Sequence, residues 1–453
     1  MDTFNHTTRL ALEENGYISP TNQEDPLDNH ILLSTEGSDR GTAYNISGKI
    51  VRRGHRLFVG WLDAAAARGG AARIRLGVCD VETGELIRTL TLGEGVDNHC
   101  GPAIALDGNG RLHVLVGAHH GDFLYRWSDD PEDQTTWSDP EPVGPHHSYP
   151  ALAIDAQGTL HLAYREKGER WQLQYTRKHP DGVWQPPVVI AESPVPGYNH
   201  FMHSLTVGEG TGNLHLTFQF HYDESGNARQ CKGKAAVYVS SADGGDSWTN
   251  EGESCELPLK VDSARPFASC LDNPEHSLRI GTHVVDAEGH PWLFCSLPDP
   301  PRGVIWRHTD RLPDQGLADQ SWSEIDLAGI SPQLDTSGGK STAISRDAQG
   351  RIHLLVGTHP GGSPTGWYDP AMELFHITLE KDGSAACTPR QLTDNDPERA
   401  RWLPSIEPWD WTRPDDIATD GHWFTYTSGV AAGMLSDPNY DHSLKTEVYL
   451  GKL

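Results

Sequence analysis

Histidines and tyrosines crowd one stretch of this chain: His99, His119, His120, Tyr149, Tyr164, Tyr198, His200, His203, His221 and Tyr222, with Asn98 beside the first. Arg165, Arg170 and Arg177 are the nearest cations. Few paired carboxylates accompany them, which disfavours glycoside hydrolysis by two carboxylic acids. The set suits another reaction. A neutral histidine can take the weakly acidic proton beside a carboxylate, a guanidinium can offset the enolate that forms, and a tyrosine can protonate the departing β-oxygen. That is β-elimination from a uronic acid within a polysaccharide.

Such residues need a frame that brings successive segments to one rim, and a repeated motif supplies it. Asp107-Gly-Asn-Gly110-Arg-Leu-His113 returns as Asp155-Ala-Gln-Gly158-Thr-Leu-His161, Glu209-Gly-Thr-Gly212-Asn-Leu-His215 and Asp347-Ala-Gln-Gly350-Arg-Ile-His353. Looser copies lie at Arg53–Leu57, Asp286–Trp292 and Thr419–Trp423. Each sits between alternating apolar runs, a β-hairpin signal. Hairpins recurring at intervals of roughly 50 to 75 residues indicate radial repetition. The spacing predicts an all-β fold, a seven-bladed β-propeller of four-stranded antiparallel blades. Residues 1–453 form one domain, with residues 1–40 contributing to ring closure beside the strand-like Thr446–Leu450, since pairing the termini removes an open edge. Counting outward from the turns places Asn98 and His99 opposite Ala118 and His119, Tyr149 opposite Tyr164, His200 opposite His221, Asn199 opposite Tyr222, and Gly338 opposite His359. One rim thus collects the histidines and tyrosines.

The repeated His113, His161, His215 and His353 call for the opposite interpretation. Four blades need the same residue at one mid-strand place, so it packs or hydrogen-bonds within each blade. Ser241-Ala-Asp243-Gly-Gly245-Asp-Ser247-Trp248 matches the Asp-box of sialidase-like propellers, a folding element whose side chains satisfy turn amides. The segments Asp133–Trp137 and Asp314–Trp322 read as outer-strand turns.

Composition sets bounds. Lys and Arg total 36 against 63 Asp and Glu, a net charge of −27. That excludes general nucleic-acid binding, which needs a basic surface. It requires locally positive potential at the mouth if the substrate is anionic. No run reaches the length of a membrane helix. The first six residues lack the basic and apolar regions of a signal peptide. The expected location is cytoplasmic, or secreted or periplasmic if a signal has been removed. Seven scattered cysteines without a CxxC suggest no disulfide framework. His200, His203, His221 and Cys231 come from one blade and are candidate ligands of a zinc ion.

The run Asp97-Asn98-His99-Cys-Gly-Pro-Ala103, followed by Gly110-Arg-Leu-His-Val-Leu-Val-Gly-Ala-His119-His120, resembles the BNR-repeat propellers that include ulvan lyases of polysaccharide lyase families twenty-four and twenty-five. The resemblance spans roughly residues 45 to 430, more in repeat layout than in identical residues. It implies His99 as the base, Tyr164 as the acid, and His119 or His120 assisting at the carboxylate. The neutralising cation has no secure match. Arg177 is the first choice and Arg165 the reserve. Asn98, His120, Arg165, Tyr198 and Tyr222 are expected to contact an anionic, ulvan-like polysaccharide, bound by a monomer. The chemistry needs no cofactor, and the resemblance implies at most a structural cation, zinc or calcium. Two rivals stand beside this reading. A non-catalytic carbohydrate-binding propeller would show aromatic residues at the mouth without a functional base. A sialidase-like hydrolase would need three arginines around a carboxylate and a nucleophilic tyrosine.

Overall fold

The computed structural model describes residues 30–44, 46–117, 119–128, 136–309, 322–332, 334, 342–358, 370–409, 422–432, 440–441 and 443–453. The Gly338–His359 pairing, the turn ending at Gly421, Ala118, residues 1–29 and most of the turns before Trp137 and Trp322 lie outside these residues.

The repeat motif folds for a local reason. In the Asp107 turn, the backbone N–H groups of Asn109 and Arg111 donate to Asp107 Oδ1 at 2.9 and 2.7 Å. Gly110 takes a left-handed φ of 82° that a side chain would resist. Asp155 and Asp347 receive the same two bonds from Gln157 and Thr159, and from Gln349 and Arg351. Each turn launches a strand whose first histidine bonds the next strand. His113 Nδ1 lies 2.7 Å from the Tyr125 hydroxyl, His161 Nδ1 2.7 Å from Tyr175, and His215 Nδ1 2.8 Å from Tyr238. His353 meets His376 instead, at 3.0 Å. The repeated histidines are ties within sheets.

The resulting fold is all-β, a series of antiparallel sheets. One contains, in spatial order, Ala400–Ile406, Trp423–Gly429, Lys445–Lys452, Ile31–Ser38, Arg56–Asp63, Ala72–Asp80 and Leu86–Gly95, with Ile50–Arg53 beside Arg56–Asp63. It joins the two ends of the described chain, with Ile31 opposite Leu450. A second sheet runs in sequence order from Ala103–Leu106 through Glu141–Ile154 to Val188–Glu192. The others begin with His203–Val207, Arg279–Val285 and Thr342–Arg346. Residues of Ile50–Arg53, Ala103–Leu106, Glu141–Ile154, His203–Val207, Arg279–Val285, Thr342–Arg346 and Ala400–Ile406 line one common cavity of about 230 Å³.

Apolar side chains fill the space between neighbouring sheets, with Trp61, Trp292, Trp402 and Trp423 fully buried. A bidentate pair between buried Arg52 and Glu407, at 2.7 Å for both bonds, fastens Ile50–Arg53 to the end of Ala400–Ile406. In the Asp-box, Asp243 accepts from the Ser247 amide and Trp248 is buried edge-on against Tyr175. Among the described residues no helix is long and apolar enough to cross a membrane.

Candidate active site

The loop after Leu86–Gly95 carries the first site residues, and its neighbours hold it tightly. His99 N–H donates to Asp97 Oδ1 at 2.8 Å, and Asn98 Nδ2 donates to Asp39 Oδ1 at 2.8 Å. Buried Lys49 donates to the Pro102 carbonyl. A Cβ on Gly101 would sit 1.8 Å from the Ala43 carbonyl oxygen, so only glycine lets the two segments meet. The loop is therefore pinned from three sides.

His99 and His119 stack with ring centroids 4.5 Å apart. Asp97 stands between them: its Oδ2 lies 2.6 Å from His119 Nδ1, and its Oδ1 lies 3.3 Å from His99 Nδ1. Burial alone would raise the Asp97 carboxyl, but the bonds from His119 and His99 outweigh it and hold it far below the usual carboxylate range. Burial pushes His119 below its ordinary value of 6.5 despite Asp97, and pushes His99 well below, helped by Arg40. Both rings are thus neutral bases near neutral pH. His119 Nε2 has no partner among the described residues.

Tyr149 faces this pair, its ring centroid 5.7 Å from His119 and 6.3 Å from His99. Its place comes from an irregularity. The strand Glu141–Ile154 shifts register against Leu160–Glu166 between the Ala151–Ala163 and Ser148–Arg165 pairs. Tyr149 there adopts a φ of 60°, uncommon for a bulky residue. His120 and Phe201, also beside the site, have φ of 53° and 46°. Backbone strain concentrates where precise placement is needed. The Tyr149 hydroxyl makes no hydrogen bond with the described residues. Burial raises its pKa well above the ordinary value, so it keeps its proton.

Arg165 is the cation packed against Tyr149. Its Cζ lies 4.3 Å from the Tyr149 ring, 4.6 Å from Trp171 and 5.3 Å from Tyr198, and Nη1 donates to the Tyr198 hydroxyl at 3.3 Å. The buried Nε and Nη2 have no hydrogen-bond partner among the described residues. A buried guanidinium with one edge unanswered is costly unless an anion completes it.

Other sequence expectations need correction. Arg177 is not in this cluster. It donates to Asp246 Oδ1 at 2.6 Å and to the Gly244 carbonyl, against the Asp-box, because it lies at the turn end of its strand. Tyr164 points into the sheet, donating to Gln174 Oε1 at 2.9 Å and packing on His147 and Phe123. The residue of that hairpin facing the histidines is Tyr149. The counting paired the two tyrosines, but the register shift breaks that pairing and puts only Tyr149 at the site.

His120 lies over His119, with ring centroids 4.0 Å apart, and Tyr198 packs on Trp171 at 4.6 Å. Asn98 is spent on Asp39, and buried Tyr222 bridges Asn199 in the wall behind. Arg40 and Tyr44, which sequence reasoning missed, also reach the cluster. Arg40 Nη1 donates to His99 Nε2 at 2.6 Å and to the Tyr44 hydroxyl, and the Tyr44 ring lies 4.9 Å from Tyr149. Both sit just after the first strand, outside any repeat, so no spacing signal marked them.

The four candidate zinc ligands do not converge. His203 Nδ1 is 2.5 Å from the Phe201 carbonyl, His221 Nδ1 is 3.0 Å from Gln219 Nε2, and Cys231 Sγ is 2.9 Å from the Ala228 carbonyl. His200 and His221 stand 5.7 Å apart, edge to face. Among the described residues, the one trio of metal-binding type that comes together is Asp97, His99 and His119. The Arg40 cation already occupies the His99 Nε2 lone pair, so the trio does not fit a cation site.

The chain belongs to the family described as BNR repeat-containing, whose match covers residues 56–308. Over 233 residues it is 23% identical to an ulvan lyase of Alteromonas sp. (strain LOR), covering 44% of this chain and 47% of that one. A PL25 ulvan lyase of Pseudoalteromonas sp. (strain PLSV) is 23% identical over 234 residues, covering 44% and 46%. The chain thus matches about half the length of these curated relatives. In three dimensions it is similar to PL25 ulvan lyase bound to -[GlcA(1-4)Rha3S]-, with a TM-score of 0.68 at 14% identity over 93% of this chain and 96% of that one. The polysaccharide lyase Uly1 superposes with a TM-score of 0.55 at 13% identity, over 90% of each chain.

Proposed function

We propose that this protein is a polysaccharide lyase that cleaves a uronate-containing, ulvan-like polysaccharide by β-elimination. The observation that carries the reading is the convergence, in one buried cluster, of a neutral histidine backed by a carboxylate, a protonated tyrosine and a half-satisfied guanidinium. The names of the similar proteins support the substrate class. The strands lining the common cavity support a closed ring of seven blades in a single domain, with the sheet of both chain ends as the closing blade.

The chemistry assigns each residue a task. The free edge of Arg165 receives the uronate carboxylate in a bidentate grip and offsets charge as the enolate develops. His119 Nε2 takes the proton from the carbon beside the carboxylate, while Asp97 stabilises the imidazolium that results. Tyr149 gives its proton to the departing glycosidic oxygen. The C–H and C–O bonds break, a C=C bond forms, and a proton returned from His119 through solvent restores Tyr149. The sequence-based choice of His99 as base gives way to His119, because a guanidinium already holds the His99 lone pair. Tyr198 and His120 line the saccharide path.

Incubation with a panel of uronate polysaccharides, followed by ultraviolet absorbance of the unsaturated product, tests this function. Ulvan should give the signal. A polysaccharide without uronate should not.

A further inference from the structure

The site contains a chain of polar contacts whose direction is set at one end. Arginine has only donors, so the Arg40 Nη1 contact at 2.6 Å fixes His99 Nε2 as an acceptor. A neutral imidazole with its lone pair on Nε2 carries its proton on Nδ1. That nitrogen has no well-aligned partner among the described residues, and it sits 3.3 Å from Asp97 Oδ1. Asp97 Oδ2 then meets His119 Nδ1 at 2.6 Å. An ionised carboxylate only accepts, so His119 also carries its proton on Nδ1 and turns its lone pair outward. Asp97 thus sets the tautomer of His119, and Arg40, by turning the Nδ1–H of His99 toward the same carboxylate, favours the placement of Asp97 that does so.

Resting on the lyase reading above, we propose that Arg40 is a positioning residue. It holds His99 in the Nδ1–H tautomer, and through His99 and Asp97 it presents His119 as the open base. The anchorage is built for this. Arg40 lies two residues beyond Ile31–Ser38, the strand paired with Lys445–Lys452. Its neighbour Asp39 accepts from Asn98 Nδ2 at 2.8 Å and from the Ala432 amide at 2.9 Å. The strand that unites the chain ends therefore also sets the proton positions in the site.

The charges facing the two rings agree with this arrangement. Arg40 and Arg165 are the cations that act on His119, and Asp97 is the carboxylate that answers them. His99 feels Arg40, His119 and Asp97. Tyr44, Tyr149, His120 and His200 face the same space with neutral rings. Removing Arg40 should therefore let the His119 pKa rise.

The test uses ring ¹⁵N-labelled full-length protein, read by NMR without substrate. His99→Gln and His119→Gln variants assign the signals. In the unaltered protein, both rings should show a pyridine-type Nε2 and a pyrrole-type Nδ1. A pyrrole-type Nε2 on His99 overturns the proposal, whether or not the protein is active. In folded Arg40→Met, the fixed His99 tautomer should be lost and kcat should fall roughly 10- to 100-fold, the usual effect of removing the partner that orients a functional histidine. The acid limb of kcat/KM should move to higher pH. Arg40→Lys, which keeps a charge and a donor, should recover part of the rate. A fall in kcat with tautomer and acid limb unchanged would mean a merely structural role and sink the proposal. Absence of elimination by the unaltered protein would overturn the lyase reading, and the NMR result would still decide the tautomer.

Discussion

Asp97 and His119 are joined by a 2.6 Å contact between Oδ2 and Nδ1, which leaves the other ring nitrogen of His119 as the open acceptor of the cluster. In the proposed mechanism His119 is the base, so His119→Gln, which keeps bulk and polarity, should lower kcat roughly 10²- to 10⁴-fold. Steady-state kinetics on ulvan, with a thermal melt to confirm folding, checks this. Turnover within a few-fold of normal would remove His119 from the role.

The two arginines should separate cleanly. Arg165→Ala should lower kcat/KM by roughly 100-fold or more, as loss of a donor aimed at developing charge does. Arg165→Lys should recover only part, since an ammonium lacks the planar fork. Arg177→Ala breaks a half-exposed pair with Asp246 and should leave kcat/KM unchanged. An effect of Arg177 equal to that of Arg165 would refute the placement.

Tyr149→Phe should abolish elimination while the melting temperature holds, because its hydroxyl bonds nothing among the described residues. Tyr164→Phe should do the reverse. It loses a buried bond to Gln174 and about 1 kcal/mol of stability, with kinetics intact. Urea unfolding and product absorbance on the same samples distinguish the two.

These contrasts show what the sequence could carry. The hairpin motif reports on its own chemistry: Asp107 caps its turn and Gly110 takes the left-handed φ, so the repeat and the all-β fold are legible from residue types. The spacing of His99 and His119 across one hairpin also survives. What spacing cannot carry is a break in strand alternation. The register shift near Ser148 turns Tyr149 inward and leaves Tyr164 in the sheet. Arg40 and Tyr44 arrive from a segment outside the repeat, through pairing of the two chain ends.

Acid should unfold the protein through its buried histidines. Burial lowers His203 and His215 to about 4 and His283 to about 3. The unfolded chain therefore takes up protons first as pH falls below the ordinary 6.5. Their contribution is complete above that value and is lost progressively as pH drops toward 4. Denaturation midpoints measured from neutral pH down to 4 should fall steadily. A flat profile would mean these rings are protonated in the folded state.

The most direct test is the ultraviolet absorbance of the unsaturated uronate product when purified protein is mixed with ulvan, run beside Tyr149→Phe and Arg165→Ala. The native protein should generate the chromophore, Tyr149→Phe should not, and Arg165→Ala should do so at least roughly 100-fold more slowly. Cleavage without the chromophore would mean hydrolysis, and a chromophore generated equally by all three would place the chemistry outside this cluster.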